Sequence, residues 1–345
     1  MRIAILGAGS LGTIIGGLIT KGTIGKHEVT LIDTNIEHIE KLNNNGATIT
    51  GFLEFNYPVV AITPDKMEGI YDLVILLTKQ TYNDVALSNL LNYIDKDSSI
   101  CTLQNGIPEE FVSEYVGKDR TVGGAVGFGA TWIEPGVSML TSKYEAVKDY
   151  AFDIGEINGE ITPRIKMVQE VLSNVGTTEI MTNLMEIRWS KVLMNATFSG
   201  MSAALGCTFG EVMDNEIAMR ALSYVADETV KTAHANNYEL IYMNGLNMDD
   251  LELKDNQTLE DKMELYHIGW DKHRDLKASM LQDLEKGIPC EIDYINGIVA
   301  KKGKEKGVST PFNDKVIQLV KEAEEGKYVP DYKTNLKEFE KMLNL

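Results

Sequence analysis

The apolar positions at the start of the chain fall in short blocks separated by glycines and charges. Ile3 to Leu6 is a brief uninterrupted apolar run without capping residues, which predicts a strand buried on both faces. Gly7-Ala8-Gly9-Ser10-Leu11-Gly12 follows, then the helix-length apolar segment Thr13 to Ile19 and a turn around Gly22 to Lys26. Glu28 to Ile32 predicts a second strand that ends in Asp33. Asp72 to Leu77 and Ser99 to Leu103 predict further buried strands, with Thr78-Lys79-Gln80 and Gln104-Asn105-Gly106 beyond their carboxyl ends. Val122 to Val126, the segment to Leu140 and Tyr150 to Glu156 continue the strand pattern, broken by a turn at Glu134-Pro135-Gly136. From about Pro163 the period becomes helical, with Ile165, Val168, Val171 and Leu172 on one face. Helices are expected to dominate from Leu184 onward. Residues 246–263 are acidic and poor in periodicity, and read as a solvated surface insertion, with a lid as the alternative.

The strand–GxGxxG–helix–strand–acid order gives the first block its chemistry. Gly7 permits the tight turn, Gly9 lets the backbone approach a pyrophosphate, and Gly12 lets helix and strand pack closely. The amides of Ser10, Leu11 and their neighbours at the helix N-terminus are then free to hold the anion. Asp33 stands about 20 residues on, where a carboxylate accepts hydrogen bonds from ribose hydroxyls and repels a 2′-phosphate. Thr34-Asn35-Ile36-Glu37 offers no arginine for that phosphate, so the residues favour NAD(H) over NADP(H). Asp33 could equally cap the helix predicted over Ile36 to Leu42. The expected fold is α/β: a Rossmann-type doubly wound sheet over 1–182, then an all-helical substrate and dimerisation domain over 183–345. Ligands of such sheets sit beyond the carboxyl ends of the strands, where Lys79 and Asn105 fall. The cleft between the two domains is the default substrate site.

Composition narrows the class. The chain has 345 residues, 43% of them hydrophobic and 24% charged, enough for two globular domains with a substantial core. Its 33 basic and 51 acidic residues leave a net charge of −18, which argues against nucleic acid as a partner. Cys101, Cys207 and Cys290 lie far apart and form no CxxC pair, which fits a reducing compartment. The five histidines show no metal-ligand spacing, so no metal is expected. The apolar N-terminus is interrupted by glycines and lacks a cleavage site, and no stretch approaches the roughly 20 apolar residues of a membrane span. The expectation is a cytoplasmic protein without a membrane partner, with a homodimer as one possibility.

Two stretches of the helical half add specificity. They are Glu186-Ile187-Arg188-Trp189-Ser190-Lys191-Val192-Leu193-Met194-Asn195-Ala196 and Ser279-Met280-Leu281-Gln282-Asp283-Leu284-Glu285-Lys286-Gly287, the latter continuing to Glu291-Ile292-Asp293-Tyr294-Ile295-Asn296-Gly297. With the glycine fingerprint and Gln104-Asn105-Gly106, the chain resembles the ketopantoate reductase (2-dehydropantoate 2-reductase) family over nearly its whole length. The resemblance implies hydride transfer from a nicotinamide to a small-molecule 2-oxo acid, and dehydropantoate reduction in pantothenate biosynthesis. By motif position it makes Lys191 the general acid, Glu291 the active-site glutamate, and Asn195 and Ser279 substrate contacts. Lys79 and Asn105 match positions near cofactor and substrate.

Elementary chemistry agrees. Ketone reduction builds negative charge on oxygen, which a positioned ammonium stabilises and protonates. Lys191 and Asn195 are four apart, on one helix face, and Lys191 sits in an apolar stretch where a charge needs a reason. Each residue also has a structural reading. Asn195 could bridge a helix, Glu291 could serve a helix N-terminus, and Ser279 could bond its own backbone. Lys79 and Asn105 could satisfy strand-end carbonyls.

Two departures from the family pattern bear on specificity. Ser199-Gly200-Met201-Ser202 replaces an Asn-Pro-Leu-Thr-type segment, and Phe209 stands where a second asparagine holds the substrate's hydroxyl end. Both favour a more apolar substrate side chain. Asp33 is also unlike the arginine-bearing NADPH members, so NADP(H) is the family alternative to the favoured NAD(H). The second reading is therefore an NAD-dependent D-2-hydroxyacid dehydrogenase acting on branched or aromatic 2-oxo acids. A third is a nucleotide sensor without turnover, against which Lys191, Asn195, Ser279 and Glu291 argue, since a sensor needs no proton donor.

Overall fold

A computed structural model describes residues 1–254 and 257–344. Its contacts divide the chain into two compact units, Met1–Gln104 with Pro108–Leu184, and Asn105–Ile107 with Met185–Leu345.

The first unit is built on strands β1 (Arg2–Leu6), β2 (Glu28–Ile32), β3 (Ala47–Gly51), β4 (Phe55–Tyr57), β5 (Val60–Ile62), β6 (Leu73–Leu76), β7 (Ser99–Thr102), β8 (Thr121–Val126), β9 (Ala130–Glu134), β10 (Val137–Leu140), β11 (Phe152–Glu156) and β12 (Thr178–Ile180). Eight of them form one sheet in the order β12-β11-β8-β7-β6-β1-β2-β5, parallel except where β11 meets β8. Ile3, Ile5, Leu73, Ile75 and Cys101 are buried on one face, and Ala4, Leu6, Val74, Leu76 and Ile100 on the other. This double burial is why these strands lack polar alternation. The chain runs outward from β1 to β2 and β5 on one side and from β6 to β8 on the other. The order therefore reverses between β1 and β6, the point beyond whose carboxyl ends sheets of this kind bind their ligands.

A second, four-stranded sheet takes the order β4-β3-β10-β9. Sequence pattern did not reveal β3, β4 and β5, which are only three to five residues long and bounded by Gly46, Gly51 and Pro58. Runs this short carry little periodicity.

The second unit is helical apart from the two-residue strands β13 (Tyr242–Met243) and β14 (Leu246–Asn247). The Glu216–Ala235 helix, buried along Ala218, Leu222, Val225 and Val230, is its centre. The 246–263 segment departs from the solvated insertion its acidity predicted. Leu246, Met248, Leu251 and Leu259 are buried, and Asp227 accepts the Leu253 amide at 2.8 Å. Its acids lie between anchors spaced too irregularly to read as a helix or strand. Asp255 and Asn256 of this segment lie outside the described residues. Among the described residues, no helix is long and apolar enough to cross a membrane.

Candidate active site

In the first unit, the loop after β1 is clamped by backbone. The Gly7 and Ala8 amides both donate to the Ile32 carbonyl, at 2.9 and 3.1 Å, tying the turn to the end of β2. Gly7 has φ +100°, and a Cβ there would come within 2.5 Å of the Thr78 nitrogen beyond β6. A Cβ on Gly12 would fall 2.0 Å from the Gly7 carbonyl oxygen, so the helix can start this close to the loop only without a side chain. Gly9 is different: a Cβ there would meet nothing within 4 Å. Its glycine is not required by the fold. What a Cβ would fill at Gly9 is the approach to the N-terminus of the Ser10–Gly22 helix, which has no side-chain cap and no acid in its first turn. Uncapped amides behind an open glycine suit a pyrophosphate.

His38 reinforces the loop. Its Nε2 donates to the Ala8 carbonyl at 2.8 Å while Nδ1 accepts the Gly136 amide at 2.8 Å, which requires the neutral ring protonated on Nε2. Burial holds its pKa below the ordinary histidine value. The ring also packs on Trp132, centroids 4.5 Å apart. Asp33 stands half-exposed at the end of β2, its Oδ1 accepting the Asn35 amide at 3.0 Å. The helix that follows is capped by Asn35, whose side chain takes the His38 amide, so Asp33 is not that cap. Lys79, half-buried, follows β6, and its carbonyl accepts the Tyr82 amide. Gln104 ends β7 by donating to the Thr78 carbonyl at 2.6 Å and the Asn83 side chain at 2.7 Å.

In the second unit, Asn105, Asn195, Ser199, Ser279, Met280, Glu291 and Ile295 line one cavity of about 180 Å³. Four of these, Asn105, Asn195, Ser279 and Glu291, come from separate stretches singled out in the sequence. Lys191 is half-buried in the last turn of the Leu184–Met194 helix, one turn before Asn195. Directly after it, Asn195–Ser199 forms a π-helical turn, and Asn195 and Ser199 at its two ends both reach the wall. Ser279 opens the Ser279–Glu285 helix, and Glu291 precedes a short turn at Ile292–Tyr294 without capping it by its side chain. The cavity is smaller than the several hundred Å³ of a drug-sized site and suits a compact metabolite. Its wall mixes amides, a hydroxyl pair and a carboxylate with the apolar Met280 and Ile295.

Phe209 does not line this cavity. Its ring packs on Phe198 at 5.7 Å, and Phe198 in turn stacks on Trp270 at 4.8 Å. The apolar cluster beneath the π turn draws the ring into the core, so Phe209 is not the pocket residue its sequence position suggested. Met280 and Ile295 take the apolar part instead. Their only sequence signal is adjacency to Ser279 and to the Glu291 segment.

Residues 3–151 match the family described as ketopantoate reductase PanE/ApbA, and residues 183–324 match its C-terminal domain. A 2-dehydropantoate 2-reductase of Pyrococcus horikoshii is 32% identical over 328 residues, covering 94% of this chain and 98% of its own. The chain belongs to the ketopantoate reductase family. It is an oxidoreductase by that membership. Another relative within the family, a 2-dehydropantoate 2-reductase of Lactococcus lactis, is 29% identical, covering 94% of this chain and 98% of its own. Among solved structures, D-mandelate dehydrogenase in complex with NADH and anilino(oxo)acetate is similar at TM-score 0.79 and 25% identity, covering 95% of this chain and 99% of that one.

Proposed function

We propose that the protein is a nicotinamide-dependent reductase of small 2-oxo acids, with 2-dehydropantoate its first candidate substrate and pantoate the product. The observation that carries this reading is the cavity itself, where Asn105, Asn195, Ser279 and Glu291 converge from four distant segments. The names of the relatives in Pyrococcus horikoshii and Lactococcus lactis support the substrate.

A reduced nicotinamide, when bound, supplies the hydride. Gly7, Gly9 and Gly12, with the amides around Ser10 and Leu11, hold its pyrophosphate, and Lys79 serves the same end of the sheet. Asp33 accepts the ribose hydroxyls, which favours NADH over NADPH. Lys191 donates a proton to the carbonyl oxygen as hydride reaches the carbon, so the ketone becomes a hydroxyl and the charge on oxygen is neutralised as it forms. Glu291 favours the charged form of that lysine. Asn105, Asn195 and Ser279 hold the carboxylate and the oxo group by hydrogen bonds.

A second reading of the same site has specific support. Ser199, Met280 and Ile295 make part of the wall apolar or small, Asp33 points to NADH, and the similar D-mandelate dehydrogenase was solved with NADH. A branched or aromatic 2-oxo acid is then the better substrate.

The test is the initial rate of absorbance loss at 340 nm with 2-dehydropantoate and with a panel of branched and aromatic 2-oxo acids, each with NADH and NADPH. Turnover of 2-dehydropantoate supports the first reading, and turnover confined to the panel supports the second. NADH binding without hydride transfer to any 2-oxo acid would overturn both and leave a sensor.

A further inference from the structure

A π turn is a costly choice for a helix. Its amides reach five residues back rather than four, so carbonyls at its edges lose their helical partners and must find others. At Asn195–Ser199 two side chains donate to carbonyls of the turn and of the residues before it. The Thr197 hydroxyl donates to the Leu193 carbonyl at 2.7 Å, and the Asn296 amide donates to the Ala196 carbonyl at 3.0 Å. Asn296 is fully buried, 100 residues away in sequence, at the start of the Asn296–Lys306 helix.

Asn296 is itself held from behind. Its Nδ2 also donates to the Asn313 side-chain oxygen at 3.0 Å, and the Asn313 amide group donates to Glu228 at 2.8 Å and to the Val225 carbonyl at 3.3 Å. Glu228 further accepts the Phe312 and Asn313 backbone amides at 2.8 and 2.9 Å, fastening the start of the Pro311–Gly326 helix. On its other side, the Asn296 oxygen faces Gly200, where a Cβ would come within 2.7 Å of it. That buried oxygen has no hydrogen-bond partner among the described residues. An arrangement that leaves a buried acceptor unsatisfied is unfavourable, and it persists here where the amide wedges between the π turn and Gly200.

We propose that Asn296 is a positioning residue of the substrate pocket, tying the π turn that carries Asn195 and Ser199 to the segment that carries Ile295. The inference rests on the proposed reductase reading only for the substrate used to read it out. Asn296 is not among the residues lining the pocket, while its neighbour Ile295 is. Its action therefore passes through Asn195 and Ser199. Without the Asn296 bond, the Ala196 carbonyl loses this donor, and the turn that carries Asn195 and Ser199 is no longer tied to the segment that carries Ile295.

The test uses the full chain with Asn296→Ala, Asn296→Asp and Gly200→Ala, each combined with Asn195→Ala. Asn296→Asp keeps the shape and the facing oxygen while losing the donor, so it remains informative where Asn296→Ala fails to fold. Each single variant is expected to raise KM for the 2-oxo acid about tenfold and leave the nucleotide Kd within twofold. The Asn296 and Asn195 losses are expected to be non-additive, as for residues acting through one unit. Additive losses, or a nucleotide Kd that rises in step with KM, would assign Asn296 a purely structural role and overturn the proposal. Amide exchange across 195–200, measured without substrate, is expected to rise at least tenfold in Asn296→Asp. Unchanged exchange overturns the positioning role even if no 2-oxo acid is turned over, which separates its failure from that of the reductase reading.

Discussion

The glycine loop after β1 and the pocket around the π turn are built on opposite plans. The loop offers backbone: amides of one contiguous stretch, clamped to the Ile32 carbonyl and crowded by Thr78. The pocket offers side chains from residues 105 to 295, held by a buried chain of amides ending at Glu228. A backbone site is intolerant of any added Cβ and indifferent to side-chain chemistry. A side-chain site can be retuned by single exchanges while the fold stands. One scaffold can thereby keep its nucleotide and change its acid, and Ser199, Met280 and Ile295 are where such a change would be written.

This contrast can be broken at several points. The largest effect is expected for Lys191→Ala, which should lower turnover by about 10² to 10⁴, the ordinary worth of a positioned general acid, with nucleotide binding unchanged. Steady-state rates and a fluorescence titration with NADH measure both, and unchanged turnover would remove Lys191 from the role. Next come Gly9→Ala and Gly12→Ala. The first has open space for its methyl and should fold normally yet bind nucleotide about thirtyfold more weakly, a cost of about 2 kcal/mol. The second places a methyl against the Gly7 carbonyl and should lower the melting temperature as well. Equal stability losses in the two would contradict the reading of Gly9 as a glycine kept for the ligand. Asp33→Ala should shift the NADH to NADPH preference by about tenfold, the loss of one charged hydrogen-bonding group. A fixed ratio would sink the ribose assignment.

The smallest effect is a pH dependence of opposite sign in the two halves. Burial lowers the His38 pKa, so the loop contact is fully present above about pH 6.5 and is lost as the pH falls through the depressed value. Burial raises Glu228 to about 7 against the hydrogen bonds it accepts. Its contribution is fully present below the ordinary glutamate value and is lost as the pH rises through about 7. Chemical denaturation of His38→Gln and Glu228→Gln across pH 4 to 9 should flatten the acid slope in the first and the slope approaching neutrality in the second.

The same contrast explains what was legible in the sequence. The glycine loop is local, so its spacing and the acid after β2 announce it without any contact information. Asn195, Ser279 and Glu291 were legible through resemblance, and Asn105 also from its place beyond a strand's carboxyl end, but nothing in their spacing brings 105 beside 291. Ser199 was visible as a departure four residues from Asn195, while the π turn that carries both is betrayed by no periodicity. Phe209 misled because a motif position says where the chain passes and not where the ring points. Here Phe198 and Trp270 offer it an aromatic bed. The 246–263 segment misled in the opposite sense, its acids masking four buried anchors.

The most direct test of the divided site is a paired measurement on Asn195→Ala: the Kd for NADH, and the KM for the best 2-oxo acid at saturating NADH. The divided site predicts a Kd within twofold of wild type and a KM raised about tenfold or more. An unchanged KM, or equal losses in both constants, would contradict it.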